Sequence, residues 1–355
     1  MRLLLFLNEA EVRAHEDIYR ACEFLRSQQS IVDYKIYPFL SRLVSGISEQ
    51  SINQEILELV NSFRPDLVLW MHTGKLRIYE QTWKNMLDTV PLASWGYWDG
   101  DMYCHKYRPV PREMIEIARR CNVVFLQGFG ETSDYLAQQG CSDIRYVPAF
   151  CDEVRFPRIT NIDNYAYDVV FIGNNITSRN PFRPTMDGTK LRKNVVAAFQ
   201  KQYGSKFGVY GNGWSGSSAK GAILFSEQLE VYRNSKITIG INNVHSCYYF
   251  SNRLPISMHC GIPIVHSFET GLEVLFAECK DLLFFSDVDQ ALYQARYLLQ
   301  KNEEEIMQIG NNLHQFASNY LTANFVFLYM VNVLGCIFNN KNSKDSTHDV
   351  PNPWI

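Results

Sequence analysis

The sequence predicts an α/β protein of two domains, each a Rossmann-like, doubly wound parallel sheet with helices on both faces. Three observations carry that reading. Short apolar runs alternate with helical stripes through the first 150 residues, residues 152–167 (DEVRFPRITNIDNYAY) turn polar and contain a proline, and a second alternating series opens at Asp168. With 355 residues and 46% hydrophobic content, the chain can fill two cores and leave a cleft between them. The expected domains are 1–155 and 156–320, followed by an apolar segment to residue 338 and a flexible polar tail over 339–355.

The elements follow in order. Residues 3–7 read as a buried strand, and residues 11–26 as a helix with Ile18, Ala21, Cys22 and Leu25 on one face. Ile52, Ile56, Leu59, Val60 and Phe63 form a second helical stripe, and the turn Arg64-Pro65-Asp66 launches a continuous apolar strand at Leu67–Met71. Further strands are expected at 91–95, 123–127 and 146–148, with a helix around 112–119. In the second series, strands fall at 168–172, 207–210, 236–241 and 262–266, and helices at 191–203, 288–300 and 303–320. Helices of this length between strands imply right-handed crossovers, hence parallel sheets.

Composition removes several classes. A net charge of -3 gives no whole-chain field for nucleic acid or an anionic membrane, although the basic stretch 179–206 keeps a modified DNA base open as an acceptor. Nine cysteines occur singly with no C-x-x-C pair, which argues against a disulfide framework or structural zinc and for the cytoplasm. The N-terminal apolar run is broken at Asn8 and Glu9, too short for a signal peptide. Residues 325–338 (FVFLYMVNVLGCIF) fall short of the roughly 20 residues that span a bilayer and are expected to form a buried helix, leaving no transmembrane segment.

Five fragments then occur in a telling order: YDVVFIG (167–173), VYGNGW (209–214), YRNSKI (232–237), SNRLPISMHCGIPIV (251–265) and LEVLF (272–276). Together they resemble the C-terminal domain of GT-B-fold glycosyltransferases, nearest the CgeB-type, spore-maturation-like branch. RPDLVLW, WGYWD and the run over 122–152 match the N-terminal half more loosely. The resemblance implies a GT-B architecture with a nucleotide-diphosphate sugar (UDP- or GDP-sugar) held by the C-terminal domain. It also implies hexosyl transfer to a hydroxyl acceptor on the N-terminal domain, no obligatory cofactor, and residues 321–338 as a helix crossing back to the first domain. A nucleotide-sugar epimerase of the same architecture and a catalytically degenerate nucleotide-sugar-binding protein stay open.

Phosphates need backbone N–H groups, and glycine lets the main chain approach them. Gly173 with Asn174, Gly211, Gly213 with Trp214, and Gly261 are the donor-loop candidates, each read at a strand end and each also readable as a plain turn. The departing diphosphate calls for cations, and no metal-ligand cluster is evident. Arg179, Arg192, Lys193 and Arg253 are the candidates, with Arg253 favoured because the resembled pattern carries an arginine eight residues before its glycine. Many retaining relatives have an E-x7-E pair there. Tyr248 and Ile256 occupy those positions here, leaving Glu269 or Glu273 to meet the donor ribose.

His245 either touches the donor or is a hydrogen-bonded loop histidine. On the acceptor side, His72 and Asp99 follow strands and are the general-base candidates. Asn8, Trp95, Tyr97 and Trp98 are the acceptor-contact candidates, the aromatic residues either stacking on a sugar or packing the core. Asp99-Gly100-Asp101 is discounted as a metal motif. The acceptor itself, whether glycan, protein, lipid-linked sugar or DNA base, is not legible.

Overall fold

The computed structural model describes residues 1–71, 74, 76–100, 110–160, 165–176, 186–342 and 350–355. They form two units, Met1–Val147 with Ala323–Ile355, and Pro148–Thr322.

The first unit runs β1 (Arg2–Phe6), α1 (Glu16–Ser27), β2 (Asp33–Tyr37), α2 (Phe39–Val44), α3 (Glu49–Phe63), β3 (Leu67–Met71), α4 (Glu80–Thr89), β4 (Ser94–Asp99), α5 (Arg112–Ala118), β5 (Val123–Leu126), α6 (Glu131–Gln138) and β6 (Ile144–Tyr146). Its sheet is parallel, ordered β2-β1-β3-β4-β5-β6. The inner strands are apolar on both faces because helices cover both. Phe6 stacks on Trp70 with ring centroids 3.7 Å apart, and Trp70, Trp83 and Trp95 continue the aromatic core. The polar edge strand β2 (DYKIY), with a single buried residue, carries no apolar run and escapes a periodicity reading. Likewise β4 begins three residues later than expected, because Pro91 belongs to the turn before it.

The second unit continues with β7 (Tyr167–Ile172), α7 (Thr189–Tyr203), β8 (Phe207–Tyr210), β9 (Ala219–Gly221), α8 (Gln228–Arg233), β10 (Ser235–Gly240), α9 (Arg253–Cys260), β11 (Ile264–Ser267), α10 (Leu272–Leu275), β12 (Leu283–Phe285), α11 (Val288–Leu299) and α12 (Glu303–Tyr320). This sheet is also parallel, ordered β12-β11-β10-β7-β8-β9. Helices α7 and α11 share one core with the sheet, while α8, α9 and α12 pack on the other face. Where α9 meets α12, Gly261 ends α9 in a left-handed cap (φ +74°), and a side chain at Gly310 would collide with the Gly261 carbonyl.

The boundary falls at Val147 rather than at residue 155. Polar as the following segment reads, its Cys151 donates a backbone bond to the Leu321 carbonyl at 3.0 Å, and Phe156 is fully buried in the second unit.

The final helix, α13 (Ala323–Asn342), belongs to the first unit and packs on α1, β3 and β4. At 20 residues it outruns the 14-residue apolar run, and by length and composition alone it is apolar enough to cross a membrane. Here Val326, Phe327, Met330, Val331 and Leu334 are buried in the unit. The tail expected to fray over 339–355 is corrected at both ends: α13 extends to Asn342, and Trp354 is buried against Tyr146, Phe325 and Tyr329.

Candidate functional site

Parallel strands present all their C-terminal ends at one edge, and on the second unit that edge gathers the loops after β7, β8, β10 and β11. Bonds between side chains and backbone knit the first two. Asn212 N–H donates to Asn174 Oδ1 at 2.8 Å, Asn175 Nδ2 to the Gly213 carbonyl at 2.9 Å, and Trp214 Nε1 to the Gly173 carbonyl at 2.6 Å. Gly211 (φ +137°) makes the approach possible, since a Cβ there would lie 2.6 Å from the Gly173 carbonyl carbon.

The loop after β10 is tied in the same way. Asn242 N–H donates to Ser267 Oγ at 3.0 Å, and Gly188, at the head of α7, donates to the Asn243 carbonyl at 3.0 Å. Tyr248 N–H donates to the Thr270 carbonyl at 2.7 Å with Tyr248 itself left-handed (φ +65°), a strained state for an aromatic residue and of the kind that collects at functional sites.

Two arginines converge here from opposite faces of the sheet. Arg192 sits on the core-facing stripe of α7 with Thr189, Val195, Val196 and Phe199, only 5% exposed. Its guanidinium donates to the Asn174 carbonyl at 2.9 Å and to the Ile241 carbonyl, and lies over the Phe171 ring at 5.5 Å. Burial, then the charge of Arg253, pull its pKa down. Arg253 is the first residue of α9 and lines a small cavity with Ile172, Tyr232 and Gly240. Neither arginine has a carboxylate partner among the described residues.

A carboxylate at the same edge, Glu269, is buried after β11 and faces His245, whose Nδ1 lies 3.0 Å from both of its oxygens. Burial pushes the Glu269 pKa up to about 7, against the lowering effect of His245.

His266, beneath this edge on β11, is fully buried, and burial holds its pKa down at about 4 against 6.5 for a free imidazole. A folded-state value below the unfolded one means that the native state binds fewer protons. The stability is complete above pH 6.5 and is lost as pH falls toward 4. Relative to His266→Gln, the wild type should lose about 3 kcal/mol over that window, measured by denaturant unfolding at a series of pH values. A pH-independent difference between the two proteins would count against this account.

Six buried polar atoms at the edge have no hydrogen-bond partner among the described residues: Asn175 Oδ1, Thr189 Oγ1, Arg192 Nε, Asn242 Oδ1, Asn243 Oδ1 and Arg253 Nε. Buried polar groups are nearly always satisfied, so these atoms have hydrogen-bonding capacity left for water or a polar ligand. No group of three or more His, Cys, Asp or Glu side chains among the described residues is arranged to hold a metal ion.

The sequence candidates divide accordingly. Gly173, Asn174, Gly211, Gly213, Trp214, His245, Arg253 and Glu269 all fall at this edge. Gly261 does not: it caps α9 ahead of β11, at the opposite end of the strands, where its backbone meets α12. Arg192, readable as solvated, is in fact buried, whereas Lys193 is only half-buried. Arg179 and His72 lie outside the described residues.

On the first unit, Trp95, Tyr97 and Trp98 are at most 3% exposed and serve the core rather than an acceptor surface. Trp95 packs on Trp83, Trp98 on Phe327 of α13, and the Tyr97 hydroxyl donates to Asp99 Oδ2 at 2.9 Å. Asp99 is itself buried at the end of β4, and Asn8 is half-buried after β1.

Sequence reasoning missed Asn242, Asn243 and Thr189, although NNVHS directly after a strand was a signal. It also missed Glu9, a buried carboxylate after β1 that accepts from the Tyr19 hydroxyl at 2.5 Å and the His15 N–H at 3.3 Å.

Residues 191–325 match a protein-family model described as glycosyl transferase-like. Among solved structures, the chain is similar to Anabaena HepE in complex with UDP-glucose (9% identity, 94% of this chain and 99% of that one, TM-score 0.59). It is also similar to sucrose-phosphate synthase from Thermosynechococcus elongatus (12%, 96% and 100%, 0.54) and to a glycosyltransferase from Rickettsia africae (10%, 96% and 99%, 0.54). No curated protein sequence matches. The fold is the α/β, two-sheet GT-B fold of these neighbours.

Proposed function

We propose that this chain is a cytoplasmic glycosyltransferase of the CgeB-type branch, taking a UDP- or GDP-sugar on its second unit and passing a hexosyl group to a hydroxyl acceptor. The observation that carries the reading is the polar edge of that unit, where, among the described residues, two arginines have no carboxylate partner and four further buried side-chain atoms have no hydrogen-bond partner. A diphosphate supplies the charge and acceptor oxygens that arginines require, and a sugar supplies hydroxyls for the asparagine and threonine oxygens. The family-model match over 191–325 and the neighbour solved with UDP-glucose support the same reading.

In this scheme the knitted loops around Gly173, Asn174, Gly211 and Gly213 form the floor of the donor site. Arg253 stabilises the charge that develops on the leaving diphosphate. Glu269, with His245 held against it, meets the ribose or the transferred sugar. On the first unit Asp99 and His72 remain the base candidates for the acceptor hydroxyl, and Glu9 joins them.

The test is release of UDP or GDP from a panel of nucleotide sugars, with binding followed by calorimetry. Release that rises with an acceptor extract is expected; absence of binding to any nucleotide sugar overturns the proposal.

The Glu269–His245 pair favours a second reading, an epimerase of the same architecture. A carboxylate titrating near pH 7 against an imidazole suits proton abstraction. Deuterium incorporation into the sugar in heavy water, without free UDP or GDP, would select it.

A further inference from the structure

The structure assigns Arg192 as a positioning residue of the donor edge: one buried guanidinium bonds the loop after β7 and the loop after β10 and fixes the gap between them. This rests on the donor reading above and adds a role for a residue that need not touch the ligand.

The helical period of α7 carries the argument. Thr189, Arg192, Val195, Val196 and Phe199 share its buried face, so Arg192 occupies the place where the next apolar residue of the stripe would stand. Desolvating a guanidinium is unfavourable, and no carboxylate offsets it among the described residues. What it has instead are the Asn174 and Ile241 carbonyls and the face of Phe171.

Those carbonyls belong to different strands' loops, β7 and β10, which are adjacent in the sheet. Just beyond them in sequence come Asn175 on one side and Asn242 and Asn243 on the other, three of the residues with unpartnered oxygens. The planar fork of arginine spans two divergent acceptors at once, whereas a lysine ammonium is a point charge on a flexible stem. With both anchors in place, the loops meet a ligand already at their working separation. Neighbouring Arg253, whose field reaches Arg192, is left to make the direct contact.

Arg192→Gln and Arg192→Lys test the assignment, with Val196→Ala as a control that weakens the same buried face of α7 without touching either carbonyl. The probes are inorganic pyrophosphate and whichever of UDP and GDP the wild type binds more tightly, titrated calorimetrically, together with amide hydrogen exchange of the unliganded protein. Both Arg192 variants should raise exchange in the two loops together and weaken both probes about tenfold or more, the lysine failing to rescue. Val196→Ala should lower the melting temperature and leave the affinities near those of the wild type.

Should Arg192→Gln not fold, the lysine variant carries the comparison. Wild-type affinity in the Arg192 variants, or equal weakening by Val196→Ala at matched stability, overturns the assignment. A wild type that binds neither probe instead overturns the donor reading on which it rests.

Discussion

Gly211→Ala should destabilise the second unit by about 3 kcal/mol and abolish nucleotide binding, although it adds a single methyl group. Two effects combine. The residue sits at φ +137°, a conformation that L side chains rarely adopt, and the new Cβ would lie 2.6 Å from the Gly173 carbonyl carbon and 3.0 Å from Asn174 N, nearer still to the Gly173 oxygen. These obstacles are backbone atoms, held by the bonds from Gly173 N–H to the Tyr210 carbonyl and from Gly211 N–H to the Gly221 carbonyl, each 2.8 Å. The loop after β7 must therefore be pushed off the loop after β8. Gly204→Ala is the comparison, because that glycine also has a positive φ (+52°) yet nothing within 4 Å of its missing side chain. It should cost about 1 kcal/mol. Denaturant unfolding of both variants checks the difference, and equal losses would mean that the loop contact has no energetic weight.

Arg253→Gln should lower kcat for sugar transfer by about 10²–10³ while leaving the melting temperature almost unchanged. A donor aimed at charge that develops during the reaction contributes mainly in the transition state, so kcat should fall by more than KM rises. Stability is spared because Arg253 gives up no ion pair among the described residues and its charge opposes that of Arg192. Steady-state kinetics with the donor identified by UDP or GDP release, alongside thermal unfolding, separates the two quantities. A rise in KM alone would make Arg253 a binding residue with no part in the chemical step.

Much of this was legible in the sequence, for physical reasons that can be named. Buried parallel strands such as Leu67–Met71 and Phe207–Tyr210 must be continuously apolar, and the stripes of α1 and α3 must repeat at the helical period. Element type was therefore readable wherever burial was one-sided or complete. The edge strands β2, β9 and β12 were not, since DYKIY, AKG and LFF are too polar or too short to show a period.

At the donor edge, the positions of Gly173, Gly211 and Gly213 were readable because each follows an apolar strand, and that of Arg253 from the spacing of the resembled pattern, whereas Gly261 falls at the other end of the strands. Trp95, Tyr97 and Trp98 misled because an aromatic residue serves a sugar platform and a core equally well, and tertiary packing decides between them, Trp83 of α4 against Trp95 and Phe327 of α13 against Trp98. Arg192 was ambiguous for the converse reason. Its charge suggested solvent, while its spacing from Val195, Val196 and Phe199 pointed inward.

The meeting of Gly261 with Gly310 has a reach beyond packing. Arg253 and Gly261 stand at the two ends of α9, so the helix is a lever of about 12 Å with the Arg253 guanidinium at one tip and a side-chain-free pivot at the other. Backbone against backbone leaves the pivot no rotamers through which to absorb an error. The aim of Arg253 is thus inherited from a residue on α12, the helix packed against the far end of α9, and a side chain introduced at that pivot would be felt as a displacement of Arg253.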